Sequence, residues 1–275
     1  MSKNITETTT AEVQPTSAPK HKKISPTRKK YIVKFIFRCI VAVIYSVLFF
    51  TDKDAFAVID RGAFFTSGFS FLHVMFGIWI LDMLLQIIPI KNAVPLGSQK
   101  HMKIRFVDIK SIVTEEAQKL KGKVTKEAIK NYAVSTTKKA YRVFLIWIAL
   151  LTVLGVLYYT HVIDNTFLFM VTVLFYVGDL VCVLIWCPFR LIVHTRCCTT
   201  CRIYNWDHLM MFTPIMFIGS LYSTVLVLLA LAVWVLWELC VFLYPERFWE
   251  QTNHALKCSE CTDKLCSQYC QKLRK

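Results

Sequence analysis

Residues 187–207 read CPFRLIVHTRCCTTCRIYNWD, a cysteine-rich and basic stretch that lies between two long apolar runs. It contains four cysteines, Cys187, Cys197, Cys198 and Cys201. Thiols placed this closely are typical of metal ligation rather than of packing. The stretch therefore predicts a connecting loop at a membrane surface, with the rest of the chain arranged around it.

The composition of the whole chain is that of a membrane protein. Of its 275 residues, 55% are hydrophobic and 14% are aromatic. A soluble domain needs a more polar surface than this composition supplies. We predict an all-α fold, namely a polytopic integral membrane helical bundle of five or six spans with a cytoplasmic cysteine-rich region.

Basic residues set the predicted orientation. The chain has 33 Lys and Arg against 18 Asp and Glu, a formal charge of +15, and the excess lies mainly between the apolar runs. Such an excess favours cytoplasmic loops that face an anionic lipid surface. No folded basic module for nucleic acid is recognisable. We expect a multi-pass protein of a bacterial cell membrane, with its N-terminus in the cytoplasm and no nucleic-acid partner.

The apolar runs divide the chain into seven predicted segments, because about 20 apolar residues cross a hydrocarbon core of about 30 Å. They are a disordered basic N-terminal tail (1–30), a first transmembrane pair (31–90), a Lys-rich cytoplasmic insert with an amphipathic helix that is interrupted near Gly122 (91–142), a transmembrane hairpin (143–186), a cysteine-rich cytoplasmic loop (187–208), a re-entrant or interfacial piece plus a last span (209–244) and a cysteine-rich C-terminal tail (245–275).

The apolar stretch from Leu209 to Tyr244 leaves the side of the C-terminal tail open. It has 36 residues, more than the roughly 20 needed for one crossing, and Pro214 interrupts it. Five full spans would place the tail outside, whereas a tight pair of short helices would return it to the cytoplasm. Because basic residues and thiols both fit the cytoplasm better, we expect the tail there.

Eleven cysteines fall into two populations. Three lie singly in apolar runs, where free cysteines are usually small core residues: Cys39, Cys182 and Cys240. The other eight are the four of the loop and four in the tail, Cys258, Cys261, Cys266 and Cys270. In a reducing compartment, thiols clustered in this way favour metal binding over disulfides.

The spacing leaves the cofactor undecided between zinc and an iron-sulfur cluster. In the tail, gaps of two, four and three residues depart from the ferredoxin spacing of two, two and three. Zinc accepts four thiolates with looser demands on spacing. In a third arrangement the tail folds over the loop and both supply ligands to one site. Adjacent cysteines rarely bind one ion together, so one member of the Cys197-Cys198 pair would be spare.

The Cys187-Pro188 pair after an apolar span, followed by cysteine clusters, is loosely similar to polytopic ferredoxin-type membrane proteins that pass electrons between quinol and soluble partners. The resemblance covers the last third of the chain and implies cluster ligation by the loop and tail cysteines. We therefore expect electron transfer between a membrane carrier and a soluble redox protein, with the Lys-rich insert as docking surface. A zinc-stapled membrane scaffold or adaptor is the alternative.

Three carboxylates inside apolar runs support a further hypothesis, namely Asp82, Asp179 and Glu238. A charge in hydrocarbon costs about 2.5 to 3.5 kcal/mol and needs a partner or a wet cavity. Because the three fall at similar predicted depths, they suit either proton or cation transport or a hydrogen-bonded structural role. No phosphate-loop, nucleotide or nucleophile motif is present, so enzymatic activity is left undecided.

Two other groups of residues are interpreted as membrane anchors. Lys34 and Arg38, in the first turns of the first span, suit snorkelling to the interface. Tryptophans near the ends of the apolar runs suit an interfacial belt.

Overall fold

The computed structural model describes residues 24–88, 90, 94–195 and 197–265. Within these ranges the chain is helical and has no strand, and one isolated bridge joins Asp108 and Asn253. The α-helices are α1 (Pro26–Thr51), α2 (Phe71–Ile87), α3 (Leu96–His101), α4 (Glu115–Lys121), α5 (Lys126–Tyr159), α6 (Asn165–Leu184), α7 (Arg190–Val193), α8 (Asp207–Phe212) and α9 (Leu221–Leu243). Short 3₁₀ helices cover Lys53–Ile59, Ile109–Ser111, Cys198–Thr200, Tyr204–Trp206, Thr213–Ile218, Pro245–Phe248 and His254–Leu256.

Four of these helices are long and apolar enough to cross a membrane, namely α1, α5, α6 and α9. The helix α2 is also apolar but has only 17 residues. The chain is thus an all-helical bundle whose long helices are consistent with an integral membrane protein.

The segment between α6 and α9 runs the length of the bundle and α9 returns beside it. The end of the 3₁₀ helix Thr213–Ile218 lies against the connection between α1 and α2, where Arg61 Nε donates to the Ile218 carbonyl oxygen at 2.7 Å. The start of α9 lies at the same end, since the Tyr222 hydroxyl donates to the Leu72 carbonyl oxygen at 3.4 Å. Gly219 makes the reversal with φ of +66°, a left-handed conformation that suits glycine. The stretch from Leu209 to Tyr244 thus contains a short piece, formed by α8 and the 3₁₀ helix, and one long helix, α9.

The other end of the bundle collects the polar segments. Ser25 donates from its hydroxyl to the Asp263 carbonyl oxygen at 2.5 Å, so the start of α1 meets the tail. The side chain of Asn253 donates to the Lys100 carbonyl oxygen at 2.8 Å, so the tail also meets the insert. We call this end, made by residues 94–125, 187–195, 197–206 and 245–265, the basic end.

Three buried clusters of side chains are found in the described part of the chain, of which the smallest comprises Leu96, Val183, Leu184 and Leu265, and the two others are built around aromatic rings. The larger of these two packs aromatic rings of α1, α2, α6, α8 and α9, all less than 2% exposed: Tyr45, Trp79, Phe169, Phe212 and Tyr222. The smaller one lies at the basic end and is built around Trp206 and Trp237, which are fully buried. Trp147 is buried as well, so an interfacial belt does not describe these three tryptophans, although Trp186 is 48% exposed.

The predicted amphipathic helix of the insert consists of two helices. Thr114 caps α4 by accepting from the backbone N–H of Ala117, and α4 ends at Gly122, where the sequence predicts an interruption. The second helix, α5, starts after its own cap, Thr125, and continues without a break into the membrane run. With 34 residues it is about 51 Å long, so its first turns extend beyond a hydrocarbon core of about 30 Å.

Candidate functional site

A first group of thiols lies where α6 ends. Cys187 follows the last residue of α6 by three positions, and its sulfur is hydrogen-bonded by the thiols of Cys182 and Cys198. The Cys198 sulfur also lies 2.9 Å from the carbonyl oxygen of Cys182. The sequence pattern favours a core role for Cys182, whereas the structure places its thiol against Cys187. We call Cys182, Cys187 and Cys198 the inner thiol group.

Hydrogen bonding makes the members of this group chemically different. Donation from the Cys182 and Cys198 thiols lowers the pKa of Cys187 well below that of an ordinary thiol. The same contact raises the pKa of Cys198, because Cys198 serves as a donor to Cys187. Burial raises the pKa of nearby Cys201 to about 11. Among these three cysteines, the hydrogen bonds therefore favour the thiolate most at Cys187, and the thiolate is the form that acts as a nucleophile or a metal ligand.

An apolar cavity of about 410 Å³ lies beside the inner thiol group. Its wall includes the three inner thiols and Cys201, together with aromatic side chains such as Trp147 and Phe175 and the carboxylates of Asp179 and Asp207. Its volume is within the range of small-molecule sites in proteins, and such sites are usually apolar with a few polar groups. The cavity can therefore place an apolar molecule directly against the thiols.

Cys197 belongs to a second group that includes the tail. It is buried, and it lines a pocket of about 10 Å³ together with Cys258 and Cys261. Leu265, the last described residue, lines the same pocket, and Cys266 follows it in the sequence. A space of this size holds about one water molecule. We call Cys197, Cys258 and Cys261 the outer thiol group.

Buried polar contacts hold the tail over this pocket. The Asp263 carboxylate is nearly buried and lies 3.7 Å from Lys100 Nζ and 3.3 Å from Arg105 Nη1. Asn253 is fully buried and its side-chain amide donates to the carbonyl oxygens of Lys100 and Arg247 at 2.8 and 2.7 Å. The tail is thus fastened to the insert on both sides of the outer thiols.

The backbone at Cys197 explains why neighbouring cysteines belong to different groups. Cys197 is extended, with φ of −141° and ψ of 137°, and Cys198 begins the 3₁₀ helix that follows. Side chains of successive residues point to opposite sides of an extended backbone. The peptide bond between Cys197 and Cys198 therefore connects the two thiol groups.

Six of the eight predicted ligands lie among the described residues. The loop cysteines divide between the inner group, the outer group and, for Cys201, the cavity wall. The tail supplies two members of the outer group, so loop and tail cysteines share one pocket. The other predicted tail ligands, Cys266 and Cys270, lie outside the described residues. Within the described part of the chain, no three His, Cys, Asp or Glu side chains are grouped so as to hold a metal ion.

Two of the three membrane carboxylates have basic partners on other helices. Asp179 of α6 accepts from Arg38 Nη1 at 2.6 Å, and Arg38 also donates to the Tyr176 carbonyl oxygen at 2.7 Å. Arg38 is only 8% exposed, so it is an internal partner and not a snorkelling anchor. Asp82 of α2 lies 3.4 Å from His208 Nε2. These pairs favour the structural interpretation of Asp82 and Asp179.

Glu238 has a separate set of partners at the basic end. Its carboxylate accepts from both terminal nitrogens of Arg202, at 2.9 and 2.6 Å, and from Trp206 Nε1 at 2.8 Å. Arg202 is 4% exposed, and its carbonyl oxygen accepts from Trp237 Nε1 at 2.6 Å. A bidentate pair of this kind fixes the loop after Cys201 against α9. Glu238 therefore does not join the other two carboxylates in one site.

Comparison with known proteins gives no relative, since no family model, no curated protein and no solved structure matches the chain. The two thiol groups, and the cavity beside the inner group, are therefore the structural basis for the proposed role.

Proposed function

We propose that this protein carries electrons between a lipid-soluble carrier and a soluble redox partner at the basic end. The observation that supports this role is the division of Cys197 and Cys198 between two thiol groups. Consecutive Cα atoms are about 3.8 Å apart, so a redox centre at each group would be connected by one peptide unit. The inner group adjoins an apolar cavity, and the outer group brings Cys197 of the loop together with Cys258 and Cys261 of the tail.

The cavity is the proposed site of the lipid-soluble carrier. It is lined by α5, α6 and α8, and its aromatic wall suits a planar ring. The inner thiols form one side of the cavity, and Asp207 supplies a carboxylate for a carrier whose oxidation releases protons. Oxidation of a quinol to a quinone, for example, releases two electrons and two protons, so a centre with one iron would accept the electrons one at a time and pass each to the soluble partner before taking the next.

The outer thiol group is the proposed metal centre. Three cysteines line the pocket, and the sequence places a fourth, Cys266, directly after Leu265. Four thiolates suit tetrahedral iron or zinc. Because the pocket is about 10 Å³, a single ion fits it better than a four-iron cluster. Iron would make the centre redox-active.

A metal-stapled scaffold is the second candidate. The pocket is also the right size for a purely structural ion, which would join the loop to the tail. The buried contacts of Asp263 and Asn253 already hold the tail in place there. Zinc has no redox chemistry and would serve only this role.

The test is metal and acid-labile sulfide content, with a visible spectrum, on the full chain purified in detergent without oxygen. Electron transfer predicts about one iron per chain and a thiolate absorbance that bleaches on reduction. Replacing Cys197 with Ser should remove the iron, whereas the matched variant Cys39→Ser, outside both groups, should keep it. Colourless protein with about one zinc would reject electron transfer in favour of the scaffold, and protein without metal would reject both.

A further inference from the structure

A groove of about 980 Å³, apart from both thiol groups, lies between the first turns of α5 and the end of α9. Its floor is apolar and includes Val235, Leu239 and Phe242 of α9. Phe242 is 82% exposed and Leu239 is 48% exposed, so the floor is continuous with the outer face of a membrane-length helix. Hydrocarbon chains are the natural contact of such a surface.

The rim of the groove is cationic. Lys126, Lys130 and Lys138 line it, and all three are exposed. They occur at intervals of four and eight residues in α5, so their side chains lie on one side of the helix. They belong to the part of α5 that extends beyond the apolar run, which is where lipid headgroups are found.

Two carboxylates also line the groove, and they do not cancel this charge. Glu238 is engaged by both terminal nitrogens of Arg202, so this pair is neutral as a unit. Glu246 then remains opposite the three lysine ammonium groups. The groove therefore combines an apolar floor at membrane depth with a positive rim at the basic end.

We propose that this groove binds an anionic phospholipid. Its phosphate lies among Lys126, Lys130 and Lys138, and an acyl chain lies along α9 over Leu239 and Phe242. Basic pockets between membrane helices favour acidic headgroups in this way. A soluble anion would bind to the lysines of the rim but would make no contact with the exposed phenyl ring of Phe242. The inference is independent of any metal or electron transfer.

The experiment compares two triple variants of the full chain that lose the same charge. One replaces the groove lysines, Lys126, Lys130 and Lys138, with Gln. The control replaces Lys119, Lys121 and Lys123 with Gln. These are basic residues of the same insert but do not line the groove. Each protein is purified in detergent and titrated with phosphatidylglycerol or with phosphatidylcholine, and lipid retention is measured by native mass spectrometry beside Tm.

Phosphatidylglycerol should be retained by the wild type and the control, and it should raise their Tm because a ligand of the folded state stabilises it. The groove variant should bind it on the order of 100-fold more weakly, from three lysines that each contribute severalfold. Equal losses in both triple variants would reject the site in favour of general surface attraction. Equal retention of phosphatidylcholine would reject charge recognition. If the triple variant does not fold, the single variant Lys130→Gln should still lower retention severalfold, and unchanged retention would overturn the proposal.

Discussion

Cys197 and Cys198 are consecutive residues, yet Cys197 shares a pocket with the C-terminal tail and Cys198 contacts Cys187 at the end of α6. Each cysteine therefore has its own set of neighbouring thiols. The extended backbone at Cys197 directs the two sulfurs to different neighbours.

Serine substitution at these two positions should have different consequences. Cys197→Ser should lose about one metal ion per chain, because it removes a thiolate from the outer group. Cys198→Ser should keep that metal. Metal analysis of both variants is the measurement, and equal loss of metal from both would contradict the division into two groups.

The thiolate of Cys187 should depend on its thiol donors. Alkylation of Cys187, followed by peptide mass spectrometry against pH, should show a midpoint well below that of an ordinary thiol. Cys198→Ala removes one donor and should shift the midpoint to higher pH. An unchanged midpoint would show that the contact with Cys198 does not set the charge of Cys187.

Removing one partner of the ion pair between Arg202 and Glu238 should lower the stability of the folded protein. Glu238→Ala leaves the Arg202 guanidinium buried without its carboxylate, so we expect a loss of about 3 to 5 kcal/mol in the free energy of unfolding. The double variant Arg202→Met with Glu238→Leu should recover most of the loss. Glu250→Ala, at an exposed position, is the control and should change stability by less than about 0.5 kcal/mol.

His101 should make the basic end sensitive to acid. Burial between Trp237 and Phe248 lowers the pKa of His101 to about 4, and its Nδ1 lies 2.8 Å from the Gly97 carbonyl oxygen. Below pH 6.5 the unfolded chain binds the proton and the folded chain does not, so stability falls as pH is lowered. The total loss towards pH 4 is about 3 kcal/mol.

Thermal unfolding between pH 7 and pH 4 measures this effect. His101→Asn keeps a side-chain N–H for the Gly97 carbonyl but removes the titration, so its stability should depend less on pH in that window. A variant with the same pH dependence as the wild type would assign the effect to other groups.

Gly97 should not tolerate a larger side chain. A Cβ at this position would lie 2.5 Å from the ring of the partly buried Tyr204. Gly97→Ala should therefore destabilise the protein by about 1 to 3 kcal/mol. Gly122→Ala, with no atom within 4 Å of the added Cβ, is the matched control and should be nearly neutral. Equal unfolding transitions in the two variants would contradict the packing.

The long helices were predictable from the sequence because their apolar runs match the thickness of a membrane. The hairpin of α5 and α6 also follows from local chemistry, since Asp164 at the predicted turn caps α6 by accepting from the Phe167 N–H at 2.8 Å. The break at Gly122 is a local signal of the same kind.

The site was less predictable because its contacts join distant parts of the chain. Arg38 and Asp179 are 141 residues apart, and nothing in either local sequence identifies its partner. Cys182 lies in an apolar run whose pattern favours a core role, and only the fold of the loop brings Cys198 to it.

The outer pocket is lined by cysteines from two parts of the chain that are separated by α9. This separation fixes the stage of assembly at which the pocket can form. Cys197 is synthesised before α9, and Cys258 and Cys261 are synthesised only after α9. The pocket between them therefore cannot close until the last helix has been inserted and the tail has reached the loop. Closure of the pocket is a late event in biogenesis, and it distinguishes a completely inserted chain from one that stopped after α6.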